Sequence, residues 1–71
     1  MFKHAKGLKA LGKKIQKLRK QKRLSQEELA DMVRISRVHM GYIEQGLRSP
    51  SLKVLTKISK VLGVDISELF R

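Results

Sequence analysis

The most restrictive feature of this sequence is a series of helix start and stop signals that follow one another at short intervals. Ser25 and Glu28 have the spacing of a capping box, in which a hydroxyl and a carboxylate each bind a free backbone N–H at a helix start. Ser36 is a second candidate N-cap, and Gly46 stands where a left-handed C-cap is expected. Signals this close together allow only short helices joined by tight connections.

Apolar residues recur at helical spacing between these signals, and no segment alternates with the period of a strand. The pattern predicts helices over residues 8–22, 26–33, 37–45 and 52–63, followed by a last short helix opened by a second capping box of Asp65 and Glu68. Residues 1–7 show no such period, so we expect a flexible basic leader there. We therefore predict an all-α domain of five helices over residues 8–71.

The inward-facing residues of these helices are the candidate core. In chain order they are Leu8, Leu11, Ile15, Leu18, Leu29, Ala30, Val33, Met40, Ile43, Leu52, Leu55, Ile58, Leu62, Ile66, Leu69 and Phe70. With 71 residues there is room for one such core and no second domain.

Positive charge is in large excess and is unevenly distributed. The chain has 17 Lys and Arg against 6 Asp and Glu, a formal charge of +11, and ten of the basic residues precede the first acid, Glu27. Such an excess is typical of proteins that bind a polyanion, and nucleic acid is the first candidate. The alternative is a solvated helix face whose charge only aids solubility.

Several classes of function find no support in the composition. The absence of cysteine excludes disulfides and thiolate metal sites, and no apolar stretch approaches the roughly 18 residues of a membrane span. His4 and His39 have no companions at metal-ligand spacing, and we see no nucleophile–base pair or phosphate-cradling loop. We therefore expect a cytoplasmic protein that is not an enzyme, with no cofactor, metal or small-molecule ligand.

The most informative segment is residues 26–45, where two short helices flank a tight turn. Ala30 supplies the small side chain that a close helix crossing needs, while Ile35, Met40 and Ile43 are placed to hold the second helix against the first. This arrangement predicts a helix-turn-helix unit.

Five strings in this order carry a resemblance to a known family: LSQEELA at 24–30, ISR at 35–37, YIEQG at 42–46, RSPSL at 48–52 and LGVDISELF at 62–70. Together they resemble the phage-repressor and Cro-like (Xre) helix-turn-helix family over residues 11–70. The resemblance implies a lambda-repressor-like fold and sequence-specific binding of double-stranded DNA.

The resemblance also assigns roles to particular residues. The second helix of the unit would read base edges in the major groove through Arg37, Val38, Gly41 and Tyr42. Phosphate contacts would come from Ser25, Gln26, Ser36, Gln45, Gly46, Arg48, Ser49 and Lys53. Arg19 and Glu44 occupy positions that often form a buried structural ion pair. No residue is assigned a catalytic role.

Two positions depart from the family pattern. Arg34 stands in the turn where the family usually has glycine, so a left-handed backbone there would be strained. Leu47 stands where a basic residue is common, and could instead close the edge of the core. The first departure affects the geometry of the turn, and the second affects the expected phosphate contacts.

On this basis we expect a transcriptional regulator, a repressor, that binds a palindromic operator as a homodimer. Candidate dimer residues are Val54, Val61, Leu69 and Phe70. One alternative is a protein-interaction module of the same fold, such as an antitoxin or a coactivator. Another is a membrane-active peptide, because the first helix is cationic and amphipathic.

Overall fold

The computed structural model describes the backbone of residues 2–71 and the side chains of residues 7–71. Four α-helices follow one another in the order α1 (Phe2–Gln21), α2 (Gln26–Val33), α3 (Arg37–Gln45) and α4 (Leu52–Leu62). A 3₁₀-helix, Ile66–Phe70, ends the described chain, and no strand occurs in residues 2–71. The all-helical prediction is confirmed, although the fifth helix is a 3₁₀-helix, as is common for such short pieces.

The first helix is longer than the sequence predicted. It begins at Phe2 instead of Leu8, so residues 2–7 of the predicted leader have a helical backbone, and Met1 lies outside the described residues. Lysine and alanine are good helix formers, and an existing helix extends at little cost once its first turn is formed. Among the helices of the described chain, none combines the length and the hydropathy that crossing a membrane requires.

Side-chain caps define where the short helices begin. The Ser25 Oγ accepts from the backbone N–H of Glu28 at 2.9 Å, and the Glu28 carboxylate accepts from the N–H of Ser25 at 2.8 Å, which confirms the capping box. Ser36 and Ser51 cap α3 and α4 in the same way through their hydroxyls. Each cap satisfies a backbone donor that the helix itself leaves free.

The second predicted capping box, of Asp65 and Glu68, does not form. Asp65 accepts from the backbone and the hydroxyl of Ser67, whereas the Glu68 carboxylate lies 3.3 Å from the Lys14 Nζ and 3.4 Å from Arg71. The bonds from Ser67 hold the pKa of Asp65 below its usual value. Glu68 therefore joins the 3₁₀-helix to Lys14 of α1 instead of completing a capping box.

A single core lies between the helices. Its buried members are Leu11, Ile15, Leu29, Ala30, Val33, Met40, Ile43, Leu55, Ile58, Leu62 and Leu69. Two predicted core residues are wrong: Leu52 is 72% exposed and Phe70 is 63% exposed. Leu52 is the first residue of α4 and precedes the part of the helix that packs, and Phe70 is the last residue of the 3₁₀-helix.

Where α1 crosses α3, the two backbones are in close contact at Gly12. A methyl group added at Gly12 would come within 2.5 Å of the carbonyl oxygen of Ile43. The crossing therefore leaves no room for a side chain, and it fixes the end of α3 against the middle of α1.

The turn between α2 and α3 contains the strain that the sequence suggested. Arg34 has φ 65° and ψ 45°, a left-handed conformation, and its N–H bonds back to α2. For a residue with a Cβ this conformation costs about 1–2 kcal/mol. The turn thus keeps the geometry that glycine would provide more easily.

We expect Arg34→Gly to stabilise the domain by about 0.5–1 kcal/mol, because the relieved strain exceeds the extra backbone entropy that glycine loses on folding. This corresponds to a rise in Tm of roughly 2–8 °C in thermal unfolding followed by circular dichroism. Arg34→Ala is the matched control, since it removes the same charge and keeps the Cβ. An equal rise in both variants would contradict the strain argument.

Candidate nucleic-acid interface

The exposed face of α3 carries three of the four predicted base-reading residues. Arg37 and Val38 stand in its first turn, Tyr42 follows one turn later, and all three side chains are exposed, Tyr42 by 40%. The opposite face is buried through Met40 and Ile43. Helical periodicity therefore puts the three side chains on one outward surface while the core holds the helix still.

Gly41 is placed differently from the prediction. It is buried, and a methyl group added to it would lie 3.7 Å from the side-chain amide oxygen of Gln26 and 3.8 Å from the side-chain nitrogen of Gln45. The side chains of both glutamines cover it, so Gly41 is buried whereas the neighbouring Tyr42 is exposed. These distances are ordinary van der Waals contacts, so packing within the protein does not require glycine at this position.

Behind α3, a buried ion pair ties the helix to α1. The Arg19 Nε donates to the Glu44 Oε2 at 2.7 Å and its Nη2 donates to Oε1 at 3.1 Å, so the two groups form a two-point contact. Arg19 is 6% and Glu44 5% exposed. The Arg19 Nη1 also donates to the carbonyl of Leu24 at 2.7 Å. The pair is buried, and each guanidinium nitrogen of Arg19 donates a hydrogen bond. It therefore fixes the position of α3 relative to α1.

Gln26 belongs to the same network. Its Nε2 donates to the Glu44 Oε1 at 3.0 Å, so the half-buried side chain predicted to bind a phosphate is hydrogen-bonded to a carboxylate of the protein. Gln26 stands at the start of α2, whose first turn also carries the exposed carboxylates of Glu27 and Glu28. Among the predicted phosphate contacts, Ser25 and Ser36 are exposed, and their hydroxyls cap α2 and α3.

The loop after α3 contains three more predicted phosphate contacts, Gly46, Arg48 and Ser49. Gly46 has φ 76° and ends α3, and the side chains of Arg48 and Ser49 are exposed beyond it. Leu47 is 61% exposed, so it does not close the core edge. Gln45 and Lys53, which flank this loop in the chain, are exposed as well.

Lys9 is a neighbour of this loop that the sequence did not reveal. A methyl group at Gly46 would come within 2.7 Å of the Lys9 Cα and 2.8 Å of its Cγ, so α1 passes directly against the loop. Gly46 is thus required both by its positive φ and by this close approach. The charge of Lys9 is visible in the sequence, but its place beside Gly46 depends on the crossing of α1 and α3.

The remaining candidates form no second site. His39 is half-buried on α3, and its backbone N–H donates to the Ser36 hydroxyl. In residues 7–71, no three His, Asp or Glu side chains converge at metal-binding distance.

The predicted dimer residue Leu69 is wrong because its side chain is 1% exposed and belongs to the core. Val54 and Val61 are half-buried, and Phe70 is exposed.

An anchored helix with an outward-facing Arg, Val and Tyr, flanked by a capped helix start and a basic loop, defines a helix-turn-helix module. The chain belongs to the helix-turn-helix family HTH_3, whose profile matches residues 15–69. The predicted family is confirmed, and with it the class of protein: a DNA-binding transcriptional regulator.

Individual relatives are similar over most of this chain. It is 48% identical over 60 residues to the control protein C.MunI of a Mycoplasma species, covering 83% of this chain and 81% of that protein. It is 32% identical over 59 residues to the immunity repressor protein of Bacillus phage phi105, of which it spans only 41%. These relatives are regulators and not enzymes.

Among solved structures, the chain is similar to the restriction-modification controller protein C.AhdI from Aeromonas hydrophila. The TM-score is 0.85 with 36% sequence identity, over 89% of this chain and 96% of that one. The helical arrangement described above is therefore shared along almost the full length of that protein.

Proposed function

We propose that the protein recognises a specific operator by inserting α3 into the major groove, and that it represses transcription there by occupying the DNA. The observation that carries this proposal is the outward face of Arg37, Val38 and Tyr42 on a helix held by the Arg19–Glu44 pair. A site held rigidly loses little freedom on binding. On this proposal the protein is not an enzyme, and it acts on the DNA of the nucleoid in the cytoplasm of a prokaryotic cell.

Each exposed residue of α3 suits a particular contact. The Arg37 guanidinium can donate two parallel hydrogen bonds to guanine O6 and N7, and the Val38 methyl groups can contact the methyl group of thymine. Tyr42, one turn further on, can reach a base or a phosphate with its hydroxyl. Gly41, which has no side chain and is covered by the side chains of Gln26 and Gln45, can let the α3 backbone approach the DNA closely where those two side chains move aside.

Phosphate contacts would hold the helix in register on both sides. On one side lie the N-terminal end of α2 with Ser25 and Gln26, and the start of α3 with Ser36. On the other side lies the loop with Gly46, Arg48 and Ser49, flanked by Gln45 and Lys53. Helix N-termini and exposed basic or hydroxyl side chains are the usual partners of phosphate oxygens.

The DNA site read by a single copy of the protein would be too short to be selective. The nine residues of α3 span about 13 Å, or roughly four base pairs, and such a short word recurs often in any genome. A two-fold homodimer would place two copies of α3 about 34 Å apart on successive major grooves. We therefore propose a homodimer on a palindromic operator, with the exposed Phe70 as the first candidate for the contact between copies.

The relatives suggest which genes are regulated. C.MunI is named a control protein and C.AhdI a restriction-modification controller, and this chain aligns with 81% and 96% of their lengths. We propose that it acts as a controller of the same kind, on a promoter of a restriction-modification system. The phage immunity repressor, matched over 41% of its length, supports the repressor mode of action.

Selection of bound sites from a random DNA pool tests the function. We expect a palindromic motif with half-site centres about 10 base pairs apart, containing a conserved guanine, and two protein copies per duplex in native mass spectrometry. A pool that shows no enrichment over several rounds, or a non-repeated motif bound by one copy, would contradict the proposal.

A further inference from the structure

The outer face of α1 carries four lysines, Lys9, Lys13, Lys17 and Lys20, here called the α1 lysine stripe. All four side chains are exposed. At 100° per residue they fall within an arc of about 80°, on the side of α1 away from the buried Leu11 and Ile15. The stripe is about 16 Å long.

The stripe is not neutralised within the protein. No acidic residue occurs before Glu27, so α1 itself offers no carboxylate. The one ion pair of an α1 lysine in residues 7–71 is that of Lys14 with Glu68, and Lys14 lies outside the stripe. Like charges four residues apart on a helix are destabilising. This arrangement therefore does not serve the stability of the isolated domain, and it suits a polyanion.

One end of the stripe lies next to the loop proposed to bind phosphate, and the other end leads along the chain towards the start of α2. Lys9 lies against Gly46, at the start of the loop that holds Arg48 and Ser49. At the other end, the carbonyl of Lys20 accepts from the N–H of Arg23, two residues before Ser25 at the start of α2. The stripe thus extends along α1 from this loop to the turn that precedes α2.

From this placement we propose that the α1 lysine stripe is an additional binding surface for the phosphate backbone of duplex DNA flanking the operator. The inference rests on the proposed function and extends it. A row of ammonium groups makes point-charge contacts without reading sequence, so the stripe adds affinity to any duplex long enough to reach it. Duplex DNA is favoured over an acidic protein because the stripe adjoins the loop proposed to bind phosphate, where Lys9 lies against Gly46.

The test replaces all four stripe lysines with glutamine (K9Q, K13Q, K17Q and K20Q together), which keeps helix propensity nearly constant. The control removes the same number of charges elsewhere, with K22Q, K57Q, K60Q and R71Q together, residues assigned no role in binding DNA. Circular dichroism establishes that both variants fold. Binding is measured over a range of salt concentrations on the selected operator, with short and with long flanks, and on a scrambled duplex.

For the stripe variant on the long duplex, we expect the slope of log K against log salt to fall in magnitude by about 2, as for the loss of two phosphate contacts. The wild type would then lose about tenfold more affinity than this variant between 50 and 200 mM salt. We expect the same change on the scrambled duplex, almost none on the short duplex, and a small change in the control.

An unchanged slope, or an equal change in the stripe and control variants, would overturn the proposal. If the stripe variant does not fold, the pairs K9Q with K13Q and K17Q with K20Q are measured in its place, each with an expected decrease of about 1 in slope. Failure of the proposed function would look different, because the wild-type protein would then not distinguish the selected operator from the scrambled duplex.

Discussion

Replacing Glu44 with alanine is expected to lower the free energy of unfolding by about 3–5 kcal/mol, which corresponds to a fall in Tm of more than about 12 °C. The carboxylate accepts two hydrogen bonds from Arg19 and one from Gln26, and it is 5% exposed. Without it, the guanidinium stays buried with only the Leu24 carbonyl as partner. The cost arises mainly from that unpaired charge.

Urea denaturation of the wild type and three variants measures this effect. Glu27→Ala is the matched control, because Glu27 is an exposed glutamate of the same helix-turn-helix unit and should cost less than about 1 kcal/mol. The double variant R19M with E44L should recover most of the loss, since it leaves no buried charge. If Glu44→Ala does not fold, Glu44→Gln provides the milder measurement. Equal losses for Glu44→Ala and Glu27→Ala would show that the pair does not hold α3.

The second large effect is expected on the binding of DNA. Arg37→Ala should weaken binding to the selected operator by about 1–3 kcal/mol and remove the preference for guanine at one position of each half-site. Arg37 is the first residue of α3 and exposed, and α3 is anchored elsewhere, so its loss should leave the fold intact. Titrations against operators with each base at that position provide the measurement.

Arg48→Ala is the matched comparison for Arg37→Ala. It also removes one exposed arginine, but from the loop after α3, where a phosphate contact is proposed. We expect uniform weakening on all duplexes and a salt slope smaller by about 1, with base preferences unchanged. If Arg48→Ala altered the preference for one base, or Arg37→Ala weakened every duplex equally, the assignment of the two arginines would be wrong.

Local chemistry explains why much of the fold was predictable. The bounds of α2 and α3 follow from Ser25, Ser36 and Gly46, because a hydroxyl cap or a left-handed glycine acts within one helical turn. The strained turn was visible as Arg34 in the place of glycine. The three exposed residues of α3 follow from helical periodicity once the buried residues Met40 and Ile43 are assigned.

What the sequence could not provide depends on contacts between distant parts of the chain. Gln26 is half-buried because Glu44, 18 residues later in the chain, accepts a hydrogen bond from its side-chain amide. The two glutamines that cover Gly41 come from different helices. Lys9 adjoins Gly46 only because α1 crosses α3 at Gly12. The incomplete capping box at Asp65 and Glu68 has the same origin, since the Glu68 carboxylate lies beside Lys14 of α1.

The central claim is that DNA is read by the outward face of α3. Titrating isotope-labelled protein with its selected duplex, and following each backbone amide by NMR, tests it most directly. We expect the largest shift changes at Arg37, Val38 and Tyr42 and in residues 46–49, with α4 beyond Lys53 nearly unaffected. Changes centred on α4, with the amides of Arg37, Val38 and Tyr42 unmoved, would contradict it.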